Sequence, residues 1–557
     1  MSRISKAAMK LSSNQKQTTN NTETVTNFMG GTNYKLNPLD TLKMIAASSI
    51  FGEPSYYRSN VKDYGYHISI MMAIDKIGID VLFYDLIMGK SATQIFTEAI
   101  DAALDYDFDA TLKLAVDLRK NYYMRLNPQV IMVRAAIHPK RKEWSNKHPG
   151  QFNEYQRLVM SRADEPASQL AYYLFINTGK KSNIPSILKR SIADKLSSFD
   201  AYQINKYKNA EIGMINAVRL THANSKVLDE LMKTGTVTVK QSEETWEQKR
   251  SAGMSWVDIL ATTNMGHMAL LRNIRNVFKE IDDMRLCTAY MEDLKDGVLK
   301  GKQFPFRYKS AYDVVKTSDI HHKQYILDKL EECIDISIAN LPKLKGTTMC
   351  LSDNSGSAWG IFNSEYGSVK VAEIDNLSSV IAAVCSDEGY VGKFGNNLKV
   401  YPISKRNGIL SQTNEINKNG MHDVGGATEG GIWHFFRDAI ANKTWYDNIF
   451  IFSDQQAGTG GLYGHISDVR QYKQQYGCKD DSRYCNVYKM ICDYRKFVNP
   501  KVNVFSIQTA GYNNLVIPTM AYRCAMLTGW TGKEILYAAE YIKQWDDIES
   551  RNTNKHQ

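Results

Sequence analysis

From about Asn37 to Leu341, apolar residues recur at three-to-four spacing, the repeat of a helix with one buried face. "NPLDTLKMIAASSIF" carries Pro near its start. "DYGYHISIMMAIDKIGIDVLFYDLIM", "SATQIFTEAIDAALDYD", "DATLKLAVDLRKNYYM", "NPQVIMVRAAI" and "EPASQLAYYLFIN" follow the same pattern. So do "IPSILKRSIADKLSSF", "NAEIGMINAVRLTHA", "SWVDILATTNMGHMALLRNIRNVF" and "DKLEECIDISIANL", with Asn-Pro, Gly or Asp at many of the breaks. About ten such units with short links predict an α-helical repeat array. The repeats have no fixed period, so a compact irregular helical domain is the alternative.

After Pro342 the pattern changes. "GTTMCLSD", "YVGKFG", "LKVYPI", "DNIFIFSD" and "VNVFSIQTAG" are short apolar, partly β-branched runs. They alternate with the helical "EIDNLSSVIAAVCS", "GGIWHFFRDAIAN" and "GKEILYAAEYIKQW". Alternation of this kind predicts an α/β domain with a doubly wound, mostly parallel sheet. The expected plan is a polar flexible tail over 1–33, a helical module over 34–341, an α/β domain over 342–547 and a tail over 548–557. The opening stretch has no signal-peptide core, and no run of about 18 apolar residues occurs. A soluble, cytoplasmic protein is expected.

Charge sharpens the division. The formal net charge is +10, and residues 1–340 hold +8 of it, so a polyanionic partner belongs to the helical part. Between Gly179 and Lys208 stand Lys180, Lys181, Lys189, Arg190, Lys195, Lys206 and Lys208, opposed by Asp194 and Asp200. Tyr202 and Tyr207 are interleaved, which fits phosphate contact with base stacking. A solvated helix face explains the run equally well. Further along, Arg272, Asn273 and Arg275 offer two guanidinium groups and an amide to phosphates or base edges. Capping and internal ion pairs are the alternative there. Arg219 and His222 are weaker candidates, since a histidine at such a place more often packs. The eight cysteines contain no CxxC pair, which reads as reduced and intracellular. Cys478, Cys485 and Cys492 are seven apart, two helical turns, and read as packing residues on one helix face rather than metal ligands.

Three loops of the second half carry matching oxygen chemistry. "DNSGS" has Asp353, Ser355 and Ser357 at alternate positions. "GGATEGG" has Thr428, and "FSDQQ" has Asp454 after an apolar strand. In a parallel sheet, ligands sit outside the carboxyl ends of the strands. Two carboxylates and three hydroxyls suit a hard octahedral cation such as Mg²⁺. Any one loop alone would read as a helix cap. His422 and His434 lie 6 residues either side of Thr428 and provide no clear general base.

The three-loop pattern resembles the metal-ion-dependent adhesion site of von Willebrand factor A domains. Asp353, Ser355, Ser357, Thr428 and Asp454 are the metal positions that resemblance implies. The helical half resembles the TROVE module of the Ro ribonucleoprotein autoantigen family. "FGEPSYY" (51–57), "LKRSIADKLSSFDAYQINKYK" (188–208), "AVRLTHAN" (217–224), "HMALLRNIRNVF" (267–278) and "FPFRYKSAY" (304–312) carry the likeness. It implies a ring of HEAT-like helical repeats closed by the second domain, and a monomer. Single-stranded 3′ ends of misfolded or non-coding RNA would enter a central basic hole. Small structured Y RNAs would bind outside, and an exoribonuclease is an implied protein partner. One departure stands out: the family's Trp-Ser-His triplet is replaced by "IGMINA" (212–217), which puts Y RNA recognition in doubt. No Walker A motif or G-x-S-x-G elbow appears, so no enzyme is expected. The competing readings are a metal-dependent protein-interaction scaffold and a Mg²⁺-dependent nuclease.

Overall fold

A computed structural model describes residues 24–26, 32–34, 37–47, 92–177, 183–207, 212–239, 244–364, 367–427, 430–453, 461–476, 483–509, 520–528 and 533–553. The segment at 51–57 falls outside them.

Strands β1 (Thr24–Thr26) and β2 (Thr32–Tyr34) pair antiparallel in and just past the stretch expected to be a flexible polar tail. The helical part then runs from Pro38–Ala47 to Lys323–Ser337. Its helices are short, and several pack on a neighbour in sequence. Phe108–Lys120 lies against Asn127–Ile137, and Pro305–Thr317 against Lys323–Ser337. Local chemistry sets many of the boundaries. Asp107, Ser225, Thr245, Ser255 and Asp283 each accept a backbone N–H at a helix start. Asp200 and Gln203 close a capping box on Ala201–Lys206.

The second half contains β3 (Leu344–Asp353), β4 (Ile361–Ser364), β5 (Gly367–Lys370), β6 (Ser386–Phe394), β7 (Leu398–Ile403), β8 (Asn448–Ser453), β9 (Gly461–Tyr463), β10 (Tyr484–Asn486), β11 (Asn503–Gln508), β12 (Met520–Ala521) and β13 (Cys524–Thr528). Seven of them form one sheet in the order β12-β13-β11-β8-β3-β6-β7, parallel from β13 through β6, with the outer β12 and β7 antiparallel. Alternate residues feed two cores, as the pleat requires. Cys350, Phe450, Phe452, Phe505 and Ile507 face one layer of helices and join the core of the helical half. Met349, Leu351, Ile449, Ile451 and Val504 face the other layer, made by Gly430–Ala441, Ile466–Tyr476 and Val487–Phe497. Both faces are covered, so the central strands read as unbroken apolar runs.

Two of the sequence expectations change here. Cys485 sits on β10 and Cys492 on the helix Val487–Phe497; both are buried, but they do not share one helix face. The last helix, Lys533–Thr553, continues into the stretch expected to be a tail.

That last helix closes a circuit. It packs against Pro38–Ala47, the first helix. Arg551 pairs with Asp40 at 3.1 Å and Lys43 with Glu540 at 2.6 Å, while the Tyr122 hydroxyl also donates to Glu540. At the other end, Asp335 of Lys323–Ser337 accepts the Ile409 N–H at 3.0 Å. The α/β part therefore touches both ends of the helical part. A third tie lies within the helical part: Lys302 stacks on the Tyr123 ring at 4.7 Å and donates to its hydroxyl. Both residues hold left-handed backbone, at φ 49° and 54°. Such a conformation costs non-glycine residues about 1 kcal/mol or more each.

Candidate functional site

Parallel pairing of β3 with β8 brings the ends of both strands to one edge of the sheet. Asp353 closes β3 and is fully buried. One of its oxygens accepts the Ser355 N–H at 2.9 Å, and the other accepts the hydroxyl of Ser453, the last residue of β8, at 2.6 Å. The hydroxyls of Ser355 and Ser357 are 3.2 Å apart. A network of buried amides fixes this loop. Asn354 and Asn376 exchange side-chain hydrogen bonds at 2.8 and 3.0 Å. Asn376 also accepts from Ser352 at 2.6 Å and donates to Asn417 at 2.8 Å.

The glycine-rich loop before Thr428 reaches the same place. Gly356 N–H donates to Gly426 O at 3.0 Å, and Ala427 N–H to Asn396 Oδ1 at 2.9 Å. Gly425 is left-handed at φ 83°, and a side chain there would strike Asn396. Thr428 and Asp454 lie outside the described residues. Their chain neighbours Ala427 and Ser453 are each fixed at the rim of the Asp353 loop.

A carboxylate with three hydroxyls around it is an oxygen-only donor set, which fits a hard divalent cation. Among the described residues no three His, Cys, Asp or Glu side chains gather where one metal ion could be held. The carboxylate count therefore rests on Asp353. His422 is exposed on the turn 420–423. His434 is half-buried, and burial pushes its imidazole below the ordinary range, with Arg437 adding to the effect. Sequence reasoning missed Ser453, Asn354 and Asn376. Asn376 lies 22 residues beyond Asn354, and no local pattern pairs them.

The candidate cations are on two helix stacks. Lys189, Arg190 and Lys195 belong to Ser186–Ser197, which packs on Met214–Thr221 with its Arg219. Arg190 and Arg219 are exposed. His222 is exposed too, capping its helix at φ 59°, so it is not a packed histidine. Lys206 lies over Tyr202 and Tyr207 at 5.5 and 5.8 Å, and Arg162 stacks on Tyr207 at 4.6 Å. Lys180, Lys181 and Lys208 lie outside the described residues. The second stack contains His267–Glu280, packed on Met284–Asp296 and Pro305–Thr317. Arg272 and Arg275 are exposed on it, and Lys279 extends the same face by one turn. Asn273 is turned inward. It is 3% exposed, donates to Ala269 O at 2.8 Å and accepts from Asn276 at 3.2 Å. Its amide is engaged within its own helix, so it does not face a ligand as the sequence led us to expect.

No protein-family model matches the chain, and no curated protein matches it in sequence. Among solved structures it is similar to the Ro (RSR) protein of Deinococcus radiodurans, with a TM-score of 0.59 and 12% sequence identity. The match covers 90% of this chain and 99% of that one. The chain has the Ro fold: a ring of helical repeats followed by a doubly wound α/β domain. No described helix is long and apolar enough to cross a membrane.

Proposed function

We propose that this chain is a Ro-type RNA-binding protein and not an enzyme. In this reading, unpaired 3′ ends of misfolded or non-coding RNA enter a central basic passage. One observation carries it. Arg272, Arg275 and Lys279 share an exposed helix face and have no carboxylate partner among the described residues. Many other cations of the helical half are paired, as in Arg134 with Asp101, Lys113 with Asp109 and Lys329 with Glu292. Unpaired guanidinium groups on one face are free to neutralise phosphates. The Ro fold and the family-like segments around these residues support the same reading. Residues 212–217 bury Met214 and Ala217 and expose Asn216, so in this reading binding of Y-like RNA there is altered. We place the protein in the cytoplasm, in keeping with the absence of a disulfide among its seven described cysteines.

The test is retention of a single-stranded RNA oligomer during a salt titration. Affinity is expected to fall steeply, with a log–log slope of roughly −0.7 per phosphate contact. A flat response, or no RNA held at about 0.1 M salt, counts against the reading and favours a protein-binding scaffold.

The same reading gives Asp353, Ser355, Ser357, Thr428 and Asp454 to a divalent cation such as Mg²⁺. Bound there, the ion would cross-link three loops and offer an open position to a partner's carboxylate. Adding Mg²⁺ at about 100 times its dissociation constant is expected to stabilise the fold by about 2.7 kcal/mol. Asp353→Ala should remove that increment, read as a shift in melting temperature. An equal Mg²⁺ response in the variant would refute the assignment. Labelled RNA should stay intact with Mg²⁺; cleavage that Asp353→Ala abolishes would favour the nuclease reading.

A further inference from the structure

Gln151–Val159 packs against both Phe108–Lys120 and Ser186–Ser197, and Lys120 reaches Ser161 just past its end. Lys120 is in the last turn of Phe108–Lys120, Arg157 in that of Gln151–Val159, and Lys195 in that of Ser186–Ser197. A helix C-terminus favours a cation by about 0.3–1 kcal/mol, which accounts for each one singly. Together they crowd one another. Lys195 is held below the ordinary lysine range, first by burial and then by Lys120, with Glu165 opposing and Arg157 adding to the depression. Lys120 is lowered first by burial and then by Arg119, again against Glu165.

Nearby acids offset this charge only in part, because Glu165 and Asp164 are shared with other partners. Glu165 is 1% exposed. It accepts the N–H groups of Ser161 and Arg162 at 2.6 and 2.9 Å and pairs with Arg119 at 2.8 Å. Asp164 is shared between Arg125 at 2.6 Å and Arg162 at 3.0 Å. The partners that Lys120 and Lys195 do have are neutral. The Lys120 ammonium donates to the Ser161 hydroxyl at 3.1 Å, and Lys195 lies over the Phe199 ring at 5.1 Å. Lys120 and Arg157 are exposed, so an incoming group can reach them.

A tetrahedral anion accepts from several directions at once, and two ammonium groups, a guanidinium and a hydroxyl supply donors in that number. We propose that Lys120, Arg157 and Lys195, with the Ser161 hydroxyl, form a notch that grips one phosphodiester of a bound RNA strand. This rests on the RNA-binding reading above and joins Lys195 to Lys120, Arg157 and Ser161, which the sequence did not mark. The neighbouring Arg162–Tyr207 and Lys206–Tyr202 stacks give the adjoining nucleotides aromatic faces, Tyr202 being 37% exposed.

The full chain carrying Lys120→Gln and Lys195→Gln tests it, with a single-stranded oligouridylate as probe. The salt slope should become shallower by about 0.7, and affinity at 0.1 M salt should fall by about 5-fold. The melting temperature should hold or rise, because like charges are relieved. The Lys120→Arg, Lys195→Arg variant should keep the parent's slope. A parent chain that binds RNA and a glutamine variant with the same slope would overturn the notch alone. A parent that binds no RNA overturns the functional reading along with it. A melting temperature lowered by several degrees in the glutamine variant would make the lysines structural and also overturn the notch.

Discussion

Reversing Arg272 and Arg275 together, as Arg272→Glu and Arg275→Glu, is expected to weaken single-stranded RNA binding by roughly 100-fold or more at 0.1 M salt. The estimate follows from counterion release. Each lost phosphate contact costs about 0.7 of a decade at that salt, and each new carboxylate adds repulsion. Stability should change by no more than about 0.5 kcal/mol, since both side chains are exposed and neither has an ion-pair partner among the described residues. Asn273→Ala is the control. It removes a buried amide bonded to Ala269 O and Asn276, and should cost about 1 kcal/mol of stability while leaving RNA affinity unaltered. Should the double reversal bind RNA as the parent does, this helix face is not where the strand lies.

The largest effect on stability is expected at Arg523. It is 3% exposed and ties the last helix to the sheet. Its guanidinium donates to Glu549 at 2.9 Å, to Asn503 at 2.9 Å and to Asp546. Arg523→Met should cost about 3–5 kcal/mol, because Glu549 would stay buried with its main counter-charge gone. The pH dependence follows from the same contact. Burial pushes the Glu549 carboxyl up, but hydrogen bonds from Arg523, Lys501 and Tyr522 outweigh it and bring the value down to about 2 from 4.5. The folded state thus binds this proton less readily than the unfolded chain. Its contribution, about 2–3 kcal/mol, is full above about pH 4.5 and is lost as pH falls toward 2. Urea denaturation over that range measures it. In Arg523→Met the acid limb should flatten, and an unchanged limb would show that Glu549 is held by something else.

The sequence announced the two architectures through period alone: the three-to-four repeat up to Leu341, then apolar runs such as "DNIFIFSD". Those runs are unbroken because β8 and β3 are covered on both faces. The Asp353 loop was legible because its oxygen side chains are local, two and four residues apart. Asn376 was not, because its partnership with Asn354 depends on how the helix Val371–Val384 docks over the sheet. Asn273 misled for a related reason. Its amide looks available between two arginines, yet the helical turn points it at Ala269. The convergence of Lys120, Arg157 and Lys195 had no linear signal either. It depends on how Phe108–Lys120 and Ser186–Ser197 pack against Gln151–Val159.

Asp40 and Arg551 are 511 positions apart in the chain. At about 5–20 residues per second, a ribosome needs on the order of half a minute or more to deliver the second after the first. Throughout that interval the outward side of Pro38–Ala47 waits without its docking surface. Such high contact order makes the final step slow and leaves the nascent chain reliant on whatever shields that helix in the meantime.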